Sequence, residues 1–126
     1  LQTQRLGALC ERWRPKLVQA EQNSMGEPLL EQLLRDGLPV RGFKTTASSK
    51  ARVIENLALA LDQSVLSLPD DPVLVTELEA YTMEPTRSGH YRYSAPPGLH
   101  DDCVMALALA WDARDQATDD LLAAFV

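Results

Sequence analysis

Apolar residues recur at Leu6, Leu9, Cys10 and Trp13, three or four positions apart, and predict an amphipathic helix over 2–14 that Pro15 stops. Lys16 to Glu21 partly alternates, as a short strand does, and runs into a predicted loop at Gln22, Asn23 and Ser24. A second helix is predicted over 26–36. Pro28 suits its first turn, Leu29, Leu30, Leu33 and Leu34 form its apolar face, and Gly37 and Pro39 end it. Glu27 and Glu31 lie early in it and Arg35 late, the order the helix dipole favours. Val40 to Phe43 reads as a strand. Thr45 and Thr46 then offer a cap for a third helix, in which Ala47, Ala51, Ile54, Ala58 and Leu61 mark one face. Val65 to Leu68 reads as a further strand, closed by a turn at Pro69–Pro72. Helices alternating with strands in this way predict an α/β layered domain with some parallel pairing.

Beyond Pro72 the pattern is less decisive. Val73 to Tyr81 fits helix or strand, Glu84 to Ser88 a turn, and Gly89 to Tyr93 the return strand of a hairpin. Pro96, Pro97 and Gly98 break the chain. Cys103 to Trp111 is then continuously apolar. Alanine, leucine and methionine dominate it and an aspartate precedes it, so it is predicted as a helix, apolar all round and buried. The tail from Asp112 to Val126 is predicted to continue as helix. Trp13 and Trp111 both read as core.

The length suits one domain over 1–126, and 45% hydrophobic and 24% charged residues are ordinary for a soluble globular chain. No apolar run approaches the roughly 20 residues needed to cross a bilayer, so a cytoplasmic location and no membrane partner are expected. Cys10 and Cys103 lie in no CxxC pair and read as free, buried or half-buried thiols. The net charge of −6 excludes the basic surplus of a protein that binds DNA mainly through phosphates. A carboxylate cluster for divalent cations explains the acidity, and so does a plain acidic surface. Leu1 falls almost inside a helical pattern, as if a preceding segment were absent.

Glu21, at a strand end, and the Asp101–Asp102 pair, at a helix start, are the candidate catalytic and metal-binding residues. Acidic side chains from such positions can converge on hard cations, as two-metal phosphodiester hydrolysis requires. The plainer alternatives are a solvated glutamate and an ordinary N-cap, the latter worth about 1 kcal/mol. Lys44 and Lys50, among Thr45, Thr46, Ser48 and Ser49, could hold a DNA phosphate near a helix N-terminus or form a solvated polar turn. His100 is a candidate to orient a water or a carboxylate, with capping or packing as the alternative. Tyr91 and Tyr93 could stack on a base, although packing in the hairpin is the better reading.

The run from Pro97 to Ala110, with His100-Asp101-Asp102 ahead of an apolar helix, resembles the last nuclease motif of phage large terminase subunits. Ala20–Glu27 resembles that family's middle acidic motif. Gly42–Lys50 resembles the strand-to-helix turn that follows it, and Thr76–Tyr81 the Glu-Leu segment before the final hairpin. The resemblance implies an RNase H-like three-layer fold, a mixed central sheet flanked by helices, lacking here its N-terminal strands. It implies an endonuclease that cuts double-stranded DNA with two Mg²⁺ or Mn²⁺ ions. Glu21 would be the middle ligand and Asp102 the last, with Asp101 binding metal or tuning the site and His100 and Asn23 standing behind the ligands. The small terminase subunit and the portal protein would be partners in a complete system. The family's first catalytic aspartate has no counterpart here, so weak or absent activity is expected. A phosphate-binding Gly-x-x-x-x-Gly-Lys-Ser/Thr motif is also lacking, so the chain is not the packaging motor. The alternative is a non-catalytic prophage remnant, folded as a scaffold or paired edge to edge as a homo-oligomer.

Overall fold

The computed structural model describes residues 2–85, 87, 89, 91–98 and 100–124, without the side chains of 24, 82, 83, 91 and 115–124. The chain forms two compact units. One runs to Thr45 and takes in the segment from Ala113 onward, and the other is Thr46–Asp112.

In the first unit α1 spans Gln2–Trp13, β1 Val18–Glu21, α2 Gln22–Met25, α3 Glu27–Arg35 and β2 Val40–Phe43. β1 and β2 pair in parallel, Val18 opposite Val40 and Glu21 opposite Phe43. Parallel neighbours need a crossover, which α2 and α3 supply. The segment 22–24 is thus a short helix where a loop was expected. Its end is set by Gly26, whose φ of +78° lets one residue close α2 and open α3. Leu33, Val40 and Phe43 are buried, and α3 packs on β2. Gly42 allows that approach: a Cβ there would stand 3.0 Å from Leu30 Cδ2.

The expectation that Trp13 is core is wrong. It is 70% exposed, and α1 has no buried residue. Trp13 closes the helix, and the Arg12 guanidinium lies 5.1 Å from its ring centroid. Trp111 is half-buried.

In the second unit α4 spans Ala47–Asp62, α5 Pro72–Ala80, β3 Thr82–Pro85 and β4 Tyr91–Ser94, and α6 opens at Asp102 and runs to Ala124. Thr46 caps α4 in a reciprocal box with Ser49: the Ser49 amide donates to Thr46 Oγ1, and the Thr46 amide donates to Ser49 Oγ. Thr46→Ala is expected to cost about 1 kcal/mol, read as a fall of a few degrees in thermal midpoint by circular dichroism. An unchanged midpoint would show that the box contributes nothing.

The predicted strand at 65–68 does not form. Ser64 turns the chain with φ +56°, and the amides of Ser64 and Val65 donate back to Leu61 and Ala60. That is a Schellman closure of α4, and it commits the start of the segment to the helix end. The ambiguous segment 73–81 is helix as far as Ala80, with Tyr81 extended beyond it, because Pro72 opens it and Asp71 Oδ1 accepts the Val73 and Leu74 amides. β3 and β4 form the expected antiparallel hairpin, although β3 already includes Glu84 and Pro85, which were assigned to the turn. Thr86, Ser88, His90 and Leu99, parts of the predicted turn, hairpin and last motif, lie outside the described residues, as do Phe125 and Val126 of the predicted tail helix and the Tyr91 side chain.

α6 is helical as predicted but not apolar-buried all round. Val104, Ala108, Leu109 and Asp112 are buried along one stripe, while Ala106 and Ala110 are exposed. Alanine on the outer face made a one-sided helix read as uniformly apolar. Parallel and antiparallel pairing both occur, as in a mixed α/β domain, but among the described residues they occupy two separate two-stranded sheets.

Candidate functional site

The strand ends of the first unit carry its candidate carboxylate. Glu21 is the last residue of β1, at the edge where parallel α/β sheets place their ligands. The Thr45 hydroxyl donates to Glu21 Oε1 at 2.8 Å. Thr45 is itself held by Asn23, which donates through Nδ2 to the Thr45 carbonyl and accepts the Thr45 amide on Oδ1, both at 3.1 Å. Asn23 therefore acts on the backbone beyond β2, and Thr45 passes that order to Glu21. The cap that the sequence offers at Thr45 or Thr46 is Thr46. Glu21 also borders an open cleft of about 440 Å³ lined chiefly by Leu6, Leu9, Met25, Leu29 and Leu33. Lys44 is exposed just past β2.

The second unit carries the aspartate pair. The Met105 amide donates to the Asp101 carbonyl at 2.9 Å, which makes Asp101 the N-cap residue of α6 and Asp102 its first helical residue. By the ordinary rule the Asp101 side chain would accept the amides of Cys103 or Val104. Those amides donate instead to Glu77 Oε2 on α5, at 2.8 and 3.2 Å. The Asp101 carboxylate faces Lys50, with Oδ2 3.6 Å from Nζ. Lys50, a candidate phosphate ligand, thus stands against a carboxylate. Asp102 is exposed, as is His100.

Around the pair, Tyr81 is half-buried and its hydroxyl is shielded from solvent without a hydrogen-bond partner among the described residues. Burial first, and then the charges of Asp101 and Tyr93, push its pKa from 10 up to about 12. The folded value lies above the unfolded one, so the neutral phenol contributes stability below pH 10 that is lost as pH rises through 12. Ultraviolet titration is expected to show a phenolate step near pH 12 that Tyr81→Phe removes, and its persistence in that variant would contradict the assignment. Desolvation, and then the Glu77 carboxylate, push the Cys103 thiol upward. The Tyr93 hydroxyl donates to Glu55 of α4 at 2.7 Å, a polar tie outside the hairpin in which packing was expected.

Among the described residues no group of three histidine, cysteine, aspartate or glutamate side chains stands together as a metal-binding set. The donors that are present, two adjacent carboxylates at an exposed helix start with an ammonium already against one, are hard oxygen ligands of the kind Mg²⁺ and Mn²⁺ take.

No family model matches the chain. The large terminase subunits of Thermus phage G20c and Thermus virus P23-45 are each 33% identical to it over 111 residues, 87% of this chain. Among solved structures, the large terminase nuclease of phage G20c with bound magnesium matches with a TM-score of 0.78 at 32% identity, covering 88% of this chain and 59% of that one. The chain is a homologue of the large terminase nuclease domain. A second structure of the G20c nuclease, with bound cobalt, matches with a TM-score of 0.77 at 33% identity over 88% of this chain and 60% of that one. The nuclease domain of Thermus phage P74-26 gives 0.75 at 32% identity, with 87% and 57% covered. The fold is therefore the RNase H-like one of terminase nucleases. This homologue spans 23% of the length of the full terminase subunits and about 60% of the G20c nuclease chain.

Sequence reasoning names Glu21, Asp101 and Asp102 as candidates, but it misses Thr45 beside Glu21 and Glu77 on the α6 amides. Glu77 lies in the Thr76–Tyr81 segment whose likeness to the terminase pattern was noted without a role. The signal available was the missing cap: an aspartate at an N-cap position that is wanted elsewhere needs a substitute acceptor.

Proposed function

We propose that this terminase nuclease homologue is a metal-dependent endonuclease domain acting on double-stranded DNA in phage packaging. The observation that carries the reading is the Asp101 carboxylate, which sits at the N-cap of α6 yet is released from capping by Glu77. Asp101 and Asp102 would hold a divalent cation, Mg²⁺ or Mn²⁺, and the magnesium and cobalt bound to the G20c nuclease support that choice. Such an ion supplies an activated water and charge stabilisation for phosphodiester hydrolysis. Around it, Lys50 balances the Asp101 charge, and Asp102 offers an exposed carboxylate to accept a proton or hold a ligand. Glu21, fixed by Thr45, is the further acidic residue we assign to the reaction, on the likeness of its segment to the middle acidic motif. Lys44 is assigned to phosphate contact.

The test is conversion of supercoiled plasmid to open circle by the 126-residue chain with Mn²⁺. Weak nicking, as the missing first aspartate implies, that needs the metal and disappears in the Asp101→Asn, Asp102→Asn variant is expected. Nicking equal in that variant, or none from either protein, would overturn the enzyme reading for this chain. The second reading, a folded scaffold that pairs through a sheet edge, draws on β1, which among the described residues is bonded only to β2.

A further inference from the structure

The geometry points to Glu77 as a positioning residue that caps α6 in place of Asp101 and so frees the Asp101 carboxylate for metal; this rests on the function proposed above. Asp101 occupies the N-cap position by its backbone, since its carbonyl accepts the first intrahelical bond from Met105. A side chain at that position normally accepts the amides two and three residues on. Here those amides, of Cys103 and Val104, are both taken by one oxygen of Glu77. Glu77 comes from α5, 24 residues before Asp101, so the cap is tertiary where a local one was available. The local candidate is turned to Lys50 instead.

Glu77 has a second effect, on charge. A helix N-terminus carries a partial positive charge that attracts anions and repels cations. A divalent cation at Asp101 and Asp102 sits beside that charge. The carboxylate of Glu77 accepts two of the first free amides and offsets that charge. One residue thereby relieves Asp101 of capping and makes the helix start tolerant of a cation.

The consequence is an exchange. In Glu77→Ala the Cys103 and Val104 amides lose their acceptor, and the Asp101 side chain is the nearest replacement. Its turn toward them keeps the helix capped and takes the carboxylate from the metal. Fold and metal affinity should therefore part company, which a merely structural tie between α5 and α6 does not predict.

The experiment measures Mn²⁺ binding by electron paramagnetic resonance in the 126-residue chain, together with a thermal double-mutant cycle on metal-free protein. Glu77→Ala is expected to weaken Mn²⁺ binding about tenfold or more, and Glu77→Gln, which keeps an acceptor oxygen, to restore most of it. In the cycle, Glu77→Ala and Asp101→Ala each lower the midpoint slightly. Combined, they should lower it by about 4 °C more than the sum, because the cap then has no substitute. Wild-type Mn²⁺ affinity in Glu77→Ala, or additive midpoints, would overturn the inference. If wild type shows no binding that Asp101→Asn, Asp102→Asn removes, the proposed function fails. The capping exchange is then decided by the cycle alone.

Discussion

A chain in which Asp101 and Asp102 are both asparagine is expected to lose the weak Mn²⁺-dependent plasmid nicking of the wild-type chain down to background while keeping its thermal midpoint within a degree or two. The size follows from what the ion is asked to do. Lewis-acid stabilisation of a reacting phosphate is worth several kcal/mol, and each 1.4 kcal/mol is about a factor of ten in rate. Asparagine keeps the shape and one oxygen but removes the charge that holds a hard cation. Stability is spared for a reason visible in the hydrogen bonds: the α6 amides are satisfied by Glu77, so neither aspartate carries the cap. Lys50 loses its counter-charge at Asp101, but the pair is open enough to water that this costs little. A variant that melts far below wild type would show that the pair is structural, and lost activity would then say nothing about metal.

Arg52→Ala is expected to lower stability by about 2–3 kcal/mol and the thermal midpoint by roughly 10 °C. Its Nη1 donates to Asp112 Oδ1 at 2.5 Å, and Asp112, on the buried stripe of α6, is only 5% exposed. Removing the guanidinium leaves a carboxylate charged in a poorly hydrated place, the costly way to break a buried pair. The Arg52 side chain is half exposed and both residues have other interactions, which puts the cost below that of a wholly buried pair. Replacing both partners, as in Arg52→Met with Asp112→Leu, should recover most of the loss, because no unpaired charge then remains. Differential scanning calorimetry of the three variants decides the matter. A single variant within 2 °C of wild type would show that water reaches Asp112.

The elements most legible in the sequence are those with punctuation at both ends. α3 lies between Gly26-Glu27-Pro28 and Gly37, and its leucines repeat at helical spacing. β2 stands alone between Pro39 and the two threonines. Val65–Leu68 shows the limit of such reading. Its residues favour a strand, but a strand needs a partner, and the amides of Ser64 and Val65 are already bonded to the end of α4. Trp13 shows another limit: helical spacing selects a face, whereas burial depends on what lies opposite that face. At the candidate site the aspartates were legible through a local motif of successive residues. Glu77 was not, because its bond to the Cys103 amide joins positions 26 apart, and no local pattern records that meeting. Thr45 was half legible, recognised with Thr46 as a possible cap but not as the partner of Glu21.

At Gly42, opposite Ala20 in the register, an added methyl would stand 3.0 Å from Leu30 Cδ2 and 3.1 Å from Gln22 Oε1. Bulk at position 42 and bulk at positions 30 and 22 are therefore one volume shared among three side chains. Drift at any of them in this lineage has to be compensated at another, so the three positions should vary together, although none of them has been assigned any chemistry.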